Sequence, residues 1–325
     1  MAAGTKFRPD WFLIGLICIP VLATLLPARG VGATIVEHAT TVAVCLLFFL
    51  HGAKLSPSEA ARSFAHWRFQ LLVLGATFVL FPLLGVGFSS FGTAFLSPEL
   101  VTGVVFVCIL PSTVQSSIAF TSMARGNVAL AVSSASLSNV VGVLLTPVLA
   151  ALLLGGAVHI TGGSVLGIVL QLLVPFVAGQ LLHSHISPWL KRHSSVVKVV
   201  DSGSVLLVVY GAFSAGVVEG LWTVVGPGEL GLVVAVSAIL LAVVMLVLGL
   251  VAKLTSMPRG DWIVLLFCGS KKSQVSGVPM ATLLFPAAAL GTTILPLMIF
   301  HLFQLLVCSV LARFWGRGSA ADVGS

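Results

Sequence analysis

The sequence predicts an all-α, polytopic membrane protein, and three observations support this fold class. Hydrophobic residues make up 58% of the 325 residues and charged residues only 8%, with a mean hydropathy of +1.17. A soluble protein needs more polar surface than this composition supplies. Apolar stretches of membrane length recur along the whole chain, and most charged residues fall between them. Each stretch is therefore expected to be a helix that satisfies its own backbone hydrogen bonds inside the bilayer.

Ten transmembrane helices are predicted from these stretches. In chain order they cover residues 11–27, 34–53, 69–88, 99–123, 128–154, 164–183, 198–221, 229–252, 260–286 and 290–313. The first stretch lacks a small-residue cleavage pattern, and the stretches that follow need an N-terminal start. It is therefore interpreted as the first helix and not as a signal peptide.

Basic residues are distributed unequally between the two sides of the membrane. If the N-terminus is placed on one side, thirteen Lys and Arg residues collect there, and only Arg29 lies on the other side. The thirteen are Lys6, Arg8, Lys54, Arg62, Arg68, Arg125, Lys191, Arg192, Lys198, Lys253, Arg259, Arg313 and Arg317. This asymmetry predicts a multi-pass protein of the plasma (inner) membrane with both termini in the cytoplasm. The basic residues form no stripe, so the net charge of +7 indicates membrane lipid and not nucleic acid as a partner.

The fourth and ninth predicted helices are interrupted near their middles. Pro111 lies inside the fourth, where it removes a backbone donor and disturbs the preceding turn. Residues 112–117 supply hydroxyls and an amide that can bond the freed carbonyls. The ninth helix is interrupted at Gly269-Ser270. Interrupted helices of this kind are typical of the binding sites of secondary transporters.

An inverted repeat explains why there are two interruptions. One interrupted helix enters the membrane from the non-cytoplasmic side and the other from the cytoplasm, as two inverted five-helix halves require. A short trace of the repeat aligns Ile17-Cys18-Ile19-Pro20-Val21-Leu22-Ala23 with Leu172-Leu173-Val174-Pro175-Phe176-Val177-Ala178. The predicted halves are 1–156, with helices 1–5, and 157–325, with helices 6–10. The interrupted helices are expected to cross at the membrane midplane and to form a binding site there.

Two adjacent lysines lie in the interrupted ninth helix. Counted at about 1.5 Å per residue from Asp261, Lys271 lies roughly 15 Å deep, near the middle of a hydrocarbon core about 30 Å thick. An ionisable residue at this depth is a functional-site hypothesis by default. Lys271, Lys272 and the half-helix N-termini all favour negative charge, so an organic anion is the expected substrate class.

Several segments together resemble the bile acid:sodium symporter superfamily. They are Leu47-Phe48-Phe49-Leu50-His51-Gly52-Ala53-Lys54-Leu55-Ser56, the Pro111 interruption followed by Ser116-Ser117, Ala124-Arg125-Gly126-Asn127-Val128-Ala129-Leu130, and Leu145-Thr146-Pro147. Phe267-Cys268-Gly269-Ser270-Lys271-Lys272-Ser273 with Gly277-Val278-Pro279 is similar to the SBF-like branch, which includes a member of the solute carrier 10 group. The resemblance covers nearly the whole chain. It implies a core and a panel domain, crossed helices four and nine, and sodium-driven symport of organic anions such as bile acids.

The sodium ligands that the resemblance implies match this sequence only in part. Ser116 and Gln274 keep the residue types of the family's ligands. The family's ninth-helix glutamate falls at or beside Ser270, its fourth-helix asparagine at Ser117, and a third-helix glutamine at Thr77. Sodium is therefore a possible coupling ion that lacks its carboxylate ligand here. No cofactor and no other metal are expected.

The candidate binding residues surround the two interruptions. They are Thr113, Gln115, Ser116, Ser117, Ser134, Ser138, Asn139, Ser270, Lys271, Lys272, Ser273 and Gln274, with Thr77, His301 and Gln304 as possible cavity residues. The three fifth-helix residues are included because two hydroxyl ligands of the family fall on alanines, Ala131 and Ala135, and these polar side chains lie close by.

The missing carboxylate leaves three functions open. The first is secondary active symport of an organic anion with sodium. In the second, the ammonium of Lys271 or Lys272 takes the cation's place by donating to Thr113, Ser116, Ser117 and freed carbonyls, and transport is proton-coupled or uncoupled. A static, structural lysine is equally permitted. The third is a transport-inactive membrane regulator that keeps the same fold.

The sequence argues against an enzyme. It contains no phosphate-binding glycine loop and no HExxH motif, and its nine acidic residues lie mostly near helix ends. His183, His185 and His193 are interpreted as part of a basic loop at anionic lipid and not as metal ligands. The segment from Ser58 to Arg68 is expected to lie along the membrane surface.

Overall fold

The computed structural model describes residues 11–54, 66–155 and 162–318, and these residues form helices and connecting turns without a β-strand. The helices in chain order are α1 (Trp11–Leu25), α2 (Val31–Lys54), α3 (Trp67–Gly92), α4 (Pro98–Ile109), α5 (Gln115–Met123), α6 (Val128–Leu154), α7 (Gly162–Leu181), α8 (His183–Arg192), α9 (Ser194–Val218), α10 (Leu221–Val224), α11 (Pro227–Leu254), α12 (Arg259–Gly269), α13 (Gln274–Leu284) and α14 (Ala287–Gly318).

Six of the described helices, α2, α3, α6, α9, α11 and α14, are long and apolar enough to cross a membrane. Shorter apolar stretches lie at Ile14–Leu25, Pro98–Ile109 and Leu170–Leu181. The exterior is rich in large apolar side chains, and Leu152 and Leu246 are each 74% exposed. Such a surface suits contact with lipid and not with water. The prediction of an all-helical membrane protein with several apolar helices is confirmed.

Two pairs of short helices stand where the fourth and ninth helices are predicted. α4 ends at Ile109 and α5 begins at Gln115, so this interruption contains Pro111. α12 ends at Gly269 and α13 begins at Gln274, so the second interruption contains both lysines. We call the region where residues 110–114 meet residues 270–273 the crossing.

α3 presents one free main-chain carbonyl to the interior. In its π-helical stretch, Ala76–Leu80, the N–H of Phe81 donates to the carbonyl of Ala76. The next N–H in this pattern would belong to Pro82, which has none. The carbonyl of Thr77 is therefore available to a donor from outside the helix.

α2 and α7 pack at very close range because glycines remove the side chains between them. A methyl group added at Gly52 would overlap the carbonyl oxygen of Phe176, and one at Gly179 would overlap the carbonyl oxygen of Phe49. α9 packs against both α1 and α2, and it also contacts α14. These helices form the surroundings in which the interrupted helices are held.

One predicted loop is wrong, because His183–Arg192 forms helix α8. Ile186 and Leu190 lie one turn apart and pack against Leu50 and Ala53 of α2, which gives this basic segment an apolar face to bury. Among the residues that the structure describes, no group of His, Cys, Asp or Glu is arranged to hold a metal ion.

Some predictions fall outside the described residues. The boundary between the halves 1–156 and 157–325 lies in the stretch 156–161, and nearly all of the Ser58–Arg68 segment lies in 55–65. Lys6 and Arg8, which entered the topology prediction, precede residue 11.

Candidate functional site

The two interruptions lie against each other and exchange hydrogen bonds. The main-chain N–H of Ser273 donates to the carbonyl of Pro111 at 2.8 Å. In the opposite direction, the hydroxyl of Ser112 donates to the carbonyl of Cys268 at 2.6 Å. The carbonyls at the end of a helix have no partner within that helix. Each interruption therefore supplies a hydrogen-bond donor to a carbonyl at or just after the end of the other interrupted helix. The crossing is thus closed by its own main-chain groups and short side chains.

Lys272 is fully buried, and its ammonium is bonded to main-chain carbonyls. Its Nζ donates to the carbonyl oxygens of Thr77, Cys108 and Leu110, each at 2.8 Å. These three bonds use all three N–H groups of the ammonium. The ring of Phe81 lies 4.1 Å from Nζ and adds a cation–π contact. Two of the carbonyls belong to the carboxyl end of α4, where the helix dipole also favours a cation.

The main chain of Lys272 is fixed by α14. Gln304 donates from Nε2 to the carbonyl of Lys272 and accepts at Oε1 from its N–H, both at 2.8 Å. The same Nε2 lies 3.0 Å from Nδ1 of His301. Both α14 side chains are buried. Gln304 therefore positions Lys272 through its backbone, and His301 lies directly beside this contact.

Lys271 is equally buried but contacts a different set of residues. Its Nζ donates one hydrogen bond, 3.3 Å long, to the hydroxyl of Ser116. The rings of Phe120 and Phe267 lie 4.5 Å and 5.4 Å from Nζ. Ser116 is half-buried and the neighbouring Gln115 is exposed. The ammonium of Lys271 thus keeps hydrogen-bonding capacity that Lys272 has used.

Three hydroxyls form a cluster at the start of α5. Oγ1 of Thr113 lies 2.7 Å from Oγ of Ser116 and 3.0 Å from Oγ of Ser117. Ser117 also donates to the carbonyl of Phe267 at 3.1 Å. The sequence predicts that one lysine donates to this cluster and to freed carbonyls. In the structure the two lysines divide these partners: Lys271 donates to Ser116, and Lys272 donates to main-chain carbonyls that α3 and α4 leave without donors.

α6 joins both interruptions through Asn139. Its Nδ2 donates to the carbonyl of Ser112, and its Oδ1 accepts from the hydroxyl of Ser276, both at 2.8 Å. The hydroxyl of Ser138 accepts from the N–H of Ser112 at 3.0 Å. Ser273 caps α13 by accepting from the N–H of Ser276 at 3.2 Å. These contacts hold the first and second interruptions on a shared α6 support.

Two candidate residues carry polar groups that no described residue bonds. Gln274 is fully buried at the first position of α13, and neither of its amide atoms has a hydrogen-bond partner among the described residues. The buried hydroxyl of Ser134 on α6 also has no hydrogen-bond partner among the described residues. Buried polar groups are normally bonded, so each of these needs an explanation. Ser270, by contrast, donates back to the carbonyl of Leu266 in its own helix at 2.5 Å.

No carboxylate of the described residues pairs with either buried lysine. Among the described residues, the ion pair is formed elsewhere, between Lys54 of α2 and Asp201 of α9. Asp201 is itself 5% exposed. The crossing therefore contains two neighbouring amines, polar hydroxyls and carbonyls, and no acidic group in contact with them.

Two cavities lie beside the interrupted helices and not at the lysines. The larger, about 350 Å³, is lined by Gly249, Ala252, Lys253, Ser256, Met257, Trp262 and Leu266. The smaller, about 240 Å³, is lined by Ser89, Val101, Thr102, Val105, Leu153, Leu154 and Gly155. The candidate residues at the crossing line neither of these two cavities.

Comparison with known proteins gives similarities over nearly the whole chain. The model of the SBF-like CPA transporter family matches residues 10–317. The chain is 50% identical over 316 residues to "Uncharacterized protein PA2026" of Pseudomonas aeruginosa, covering 96% of this chain and 94% of that protein. It is 49% identical over 311 residues to "Putative symporter YfeH" of Escherichia coli K12, covering 95% and 93%. Identity to "Sodium/bile acid cotransporter 7" of Rattus norvegicus is 26% over 313 residues, covering 94% and 92%.

Proposed function

Because the chain belongs to the SBF-like CPA transporter family, whose members are membrane transporters and not enzymes, we propose that it is a secondary active carrier of an organic anion. The carrier lies in the plasma (inner) membrane with both termini in the cytoplasm, as the distribution of basic residues predicts. Its substrate passes a midplane site at the crossing. The symporter relatives support a transported substrate and a coupling ion in general terms.

The proposed architecture is ten transmembrane helices in two inverted repeats, with α4–α5 and α12–α13 as the interrupted pair. The two cavities support it, because they lie beside the first half of each interrupted helix. Ser89 and Thr102 line one cavity, and Gly249 and Trp262, each 160 residues later, line the other. α1 packs against α9, and α2 packs against α7. In the predicted halves, α1 and α2 are the first and second helices of one half, and α7 and α9 are the first and second of the other. Exchanging the halves therefore turns one of these contacts into the other. α3–α6 and α11–α14 then form the core domain, and α1, α2, α7 and α9 the panel.

The observation that carries the mechanism is the ammonium of Lys272 held by three carbonyl oxygens at 2.8 Å. Carbonyl oxygens are the ligands that hard metal cations take in proteins. An additional cation about 4 Å from this ammonium would be repelled by about 4 kcal/mol at an effective dielectric constant of 20. We therefore infer that Lys272 is a built-in cation in place of a bound sodium ion. Transport is then independent of sodium and is either proton-coupled or uncoupled.

Lys271 is the residue that we assign to the anion. Its ammonium has one long bond to Ser116 and two aromatic neighbours, so it can accept an anionic partner without giving up short bonds. Ser116 and the exposed Gln115 lie at the amino end of α5, where the helix dipole favours negative charge. The unbonded amide of Gln274 and hydroxyl of Ser134 supply further polar groups for a substrate.

Thermal stability of the purified protein tests this function. Its melting temperature is measured in sodium chloride and in choline chloride at equal ionic strength, with cholate and then a panel of other carboxylates and sulfonates as probe anions. A ligand that binds only the folded protein raises Tm. We expect no sodium-specific shift and a rise with at least one anion. This rise should be lost in Lys271→Met and kept in Lys198→Met, which changes an exposed lysine on α9.

Other outcomes would change the conclusion. A sodium-specific rise in Tm would show that the cation site survives without its carboxylate, and sodium symport would replace the sodium-independent carrier. An anion effect that persists in Lys271→Met would remove Lys271 from the substrate site. No stabilisation by any anion of the panel would favour the transport-inactive regulator.

A further inference from the structure

The larger cavity is a slot between two helices. Its α11 wall consists of Gly249, Ala252 and Lys253, whose spacing of three and four residues places them on one helical face, and Ser256 and Met257 line it from the turn after α11. Its α12 wall contains Trp262 and Leu266, one turn apart. Its volume of about 350 Å³ is within the range of small-molecule sites.

The slot changes from charged to apolar along its length. Lys253 and Ser256 are exposed at its mouth, Trp262 is half-buried, and Leu266 is buried at its floor. The slot is open at Gly249, where an added methyl group would meet no atom within 4 Å. Among the described residues, Lys253 has no ion-pair partner. A ligand that matches this gradient has an anionic head and a hydrocarbon tail.

The surrounding surface favours an anionic partner. The described basic residues that the predicted topology places at the same end as Lys253 are Lys54, Arg68, Arg125, Lys191, Arg192, Lys198, Arg259 and Arg313. The acids of this end among the described residues, Asp201 and Asp261, are bonded to Lys54 and Asn127. The opposite end presents Arg29 with Glu37, Glu99, Glu219 and Glu229. Anionic lipids of the cytoplasmic leaflet attract such basic residues by about 1 kcal/mol each.

We propose that this slot binds an anionic phospholipid of the cytoplasmic leaflet. The phosphate lies at Lys253 and Ser256, and the start of an acyl chain lies beside Trp262 and Leu266. Trp262 packs edge-to-face on Trp315 with ring centroids 4.8 Å apart, and tryptophan is enriched at membrane interfaces. The choice of leaflet rests on the proposed orientation of the chain, but the binding itself requires no transported substrate.

α12 connects the slot to the proposed transport site, because Leu266 at the floor of the slot lies in its last turn. The carbonyl of Leu266 accepts from the N–H of Ser270 at 3.1 Å and from its hydroxyl at 2.5 Å. The floor of the slot is therefore the last turn before the two lysines. A lipid between α11 and α12 would hold this turn in place, which makes the lipid a positioning ligand for the crossing.

The test uses the full-length protein in detergent with dioleoyl phosphatidylglycerol or dioleoyl phosphatidylcholine added at equal concentration. Tm is recorded, and bound lipid is counted by native mass spectrometry. We expect the phosphatidylglycerol to raise Tm by several degrees more than the phosphatidylcholine and to remain bound. Gly249→Leu, which fills the slot, should remove most of this difference, and Lys253→Gln should reduce it. Arg29→Gln, at an exposed residue of the opposite end, should keep the wild-type difference.

Three results would overturn the proposal. Equal stabilisation by the two lipids would show that the slot does not recognise negative charge. An undiminished difference in a Gly249→Leu variant that elutes and melts normally in phosphatidylcholine would place the lipid elsewhere. Displacement of the bound lipid by cholate, with an equal rise in Tm, would assign the slot to a soluble anion. Because no outcome depends on anion transport, failure here is distinguishable from failure of the proposed carrier function.

Discussion

Lys271 and Lys272 form a matched pair for testing what a buried ammonium does at the crossing. They are adjacent, of the same type and both fully buried. Lys272 makes three hydrogen bonds of 2.8 Å, whereas Lys271 makes one of 3.3 Å. Methionine keeps much of the length of lysine and removes the charge. We predict that Lys272→Met destabilises the protein strongly and that Lys271→Met has little effect.

The magnitude follows from the groups left behind. Lys272→Met leaves the carbonyls of Thr77, Cys108 and Leu110 without their donor, and an unpaired buried acceptor costs about 1–3 kcal/mol. Three such groups cost roughly 3–9 kcal/mol. Removal of a buried charge returns part of this cost, so we expect a net loss of about 3–5 kcal/mol. Lys271→Met removes one long bond and two cation–π contacts, about 1–2 kcal/mol, against a similar gain from desolvation.

The assay is thermal unfolding of the purified variants followed by intrinsic fluorescence. At about 2 °C per kcal/mol for a chain of this size, Lys272→Met should lower Tm by roughly 6–10 °C. Lys271→Met should change it by about 2 °C or less. Equal losses in the two variants would show that burial of an amine, and not its bonds to carbonyls, sets the effect. An unchanged Tm in Lys272→Met would refute the built-in cation.

Two further predictions concern the support of the site and the packing of the helices. Gln304→Leu removes both hydrogen bonds to the main chain of Lys272 and leaves two buried groups unpaired. Tm should therefore fall by about 4–8 °C. Unchanged melting would contradict the positioning role of Gln304. Gly52→Ala places a methyl group on the carbonyl of Phe176 and should greatly reduce the yield of folded protein. Gly75→Ala, at a helical position with open space, should leave Tm equal or slightly higher; similar losses in both would refute the close-packing argument.

The interruptions were predictable because their causes are local. Pro111 removes a backbone donor wherever it stands in a helix, and the polar residues that follow it can bond the freed carbonyls. Counting residues along an apolar stretch predicts the depth of Lys271 in the membrane; what the structure shows is that its side chain is fully buried within the protein. The family membership followed from motifs that are short and contiguous, and the comparisons confirm it.

Freed carbonyls were predicted as partners of a lysine, but which carbonyls Lys272 bonds was not predictable from residue types, because main-chain carbonyls occur at every position. Thr77 donates its side chain to Val73 in its own helix and contributes only its carbonyl to the lysine, 195 residues away. Pro82 indicates a free carbonyl in α3, because it has no N–H to donate. Which carbonyl is left free depends on the π-helical stretch before Pro82, and the sequence does not reveal that stretch. The pairing of Asp201 with Lys54 also depends on how α2 and α9 pack, which spacing along the chain does not reveal.

The interruption of α12 is what allows two adjacent lysines to take different roles. Residues 271–273 lie outside both helices, and the side chains of Lys271 and Lys272 point to different neighbours, one to α5 and the other to α3 and α4. In a continuous helix their directions would differ by only about 100°. On the proposed function, the amine of Lys272 stays in the protein throughout the cycle and no sodium ion has to leave its place. An anion at Lys271 then reduces the repulsion between two amines that share a low-dielectric site, so substrate binding itself stabilises the loaded carrier.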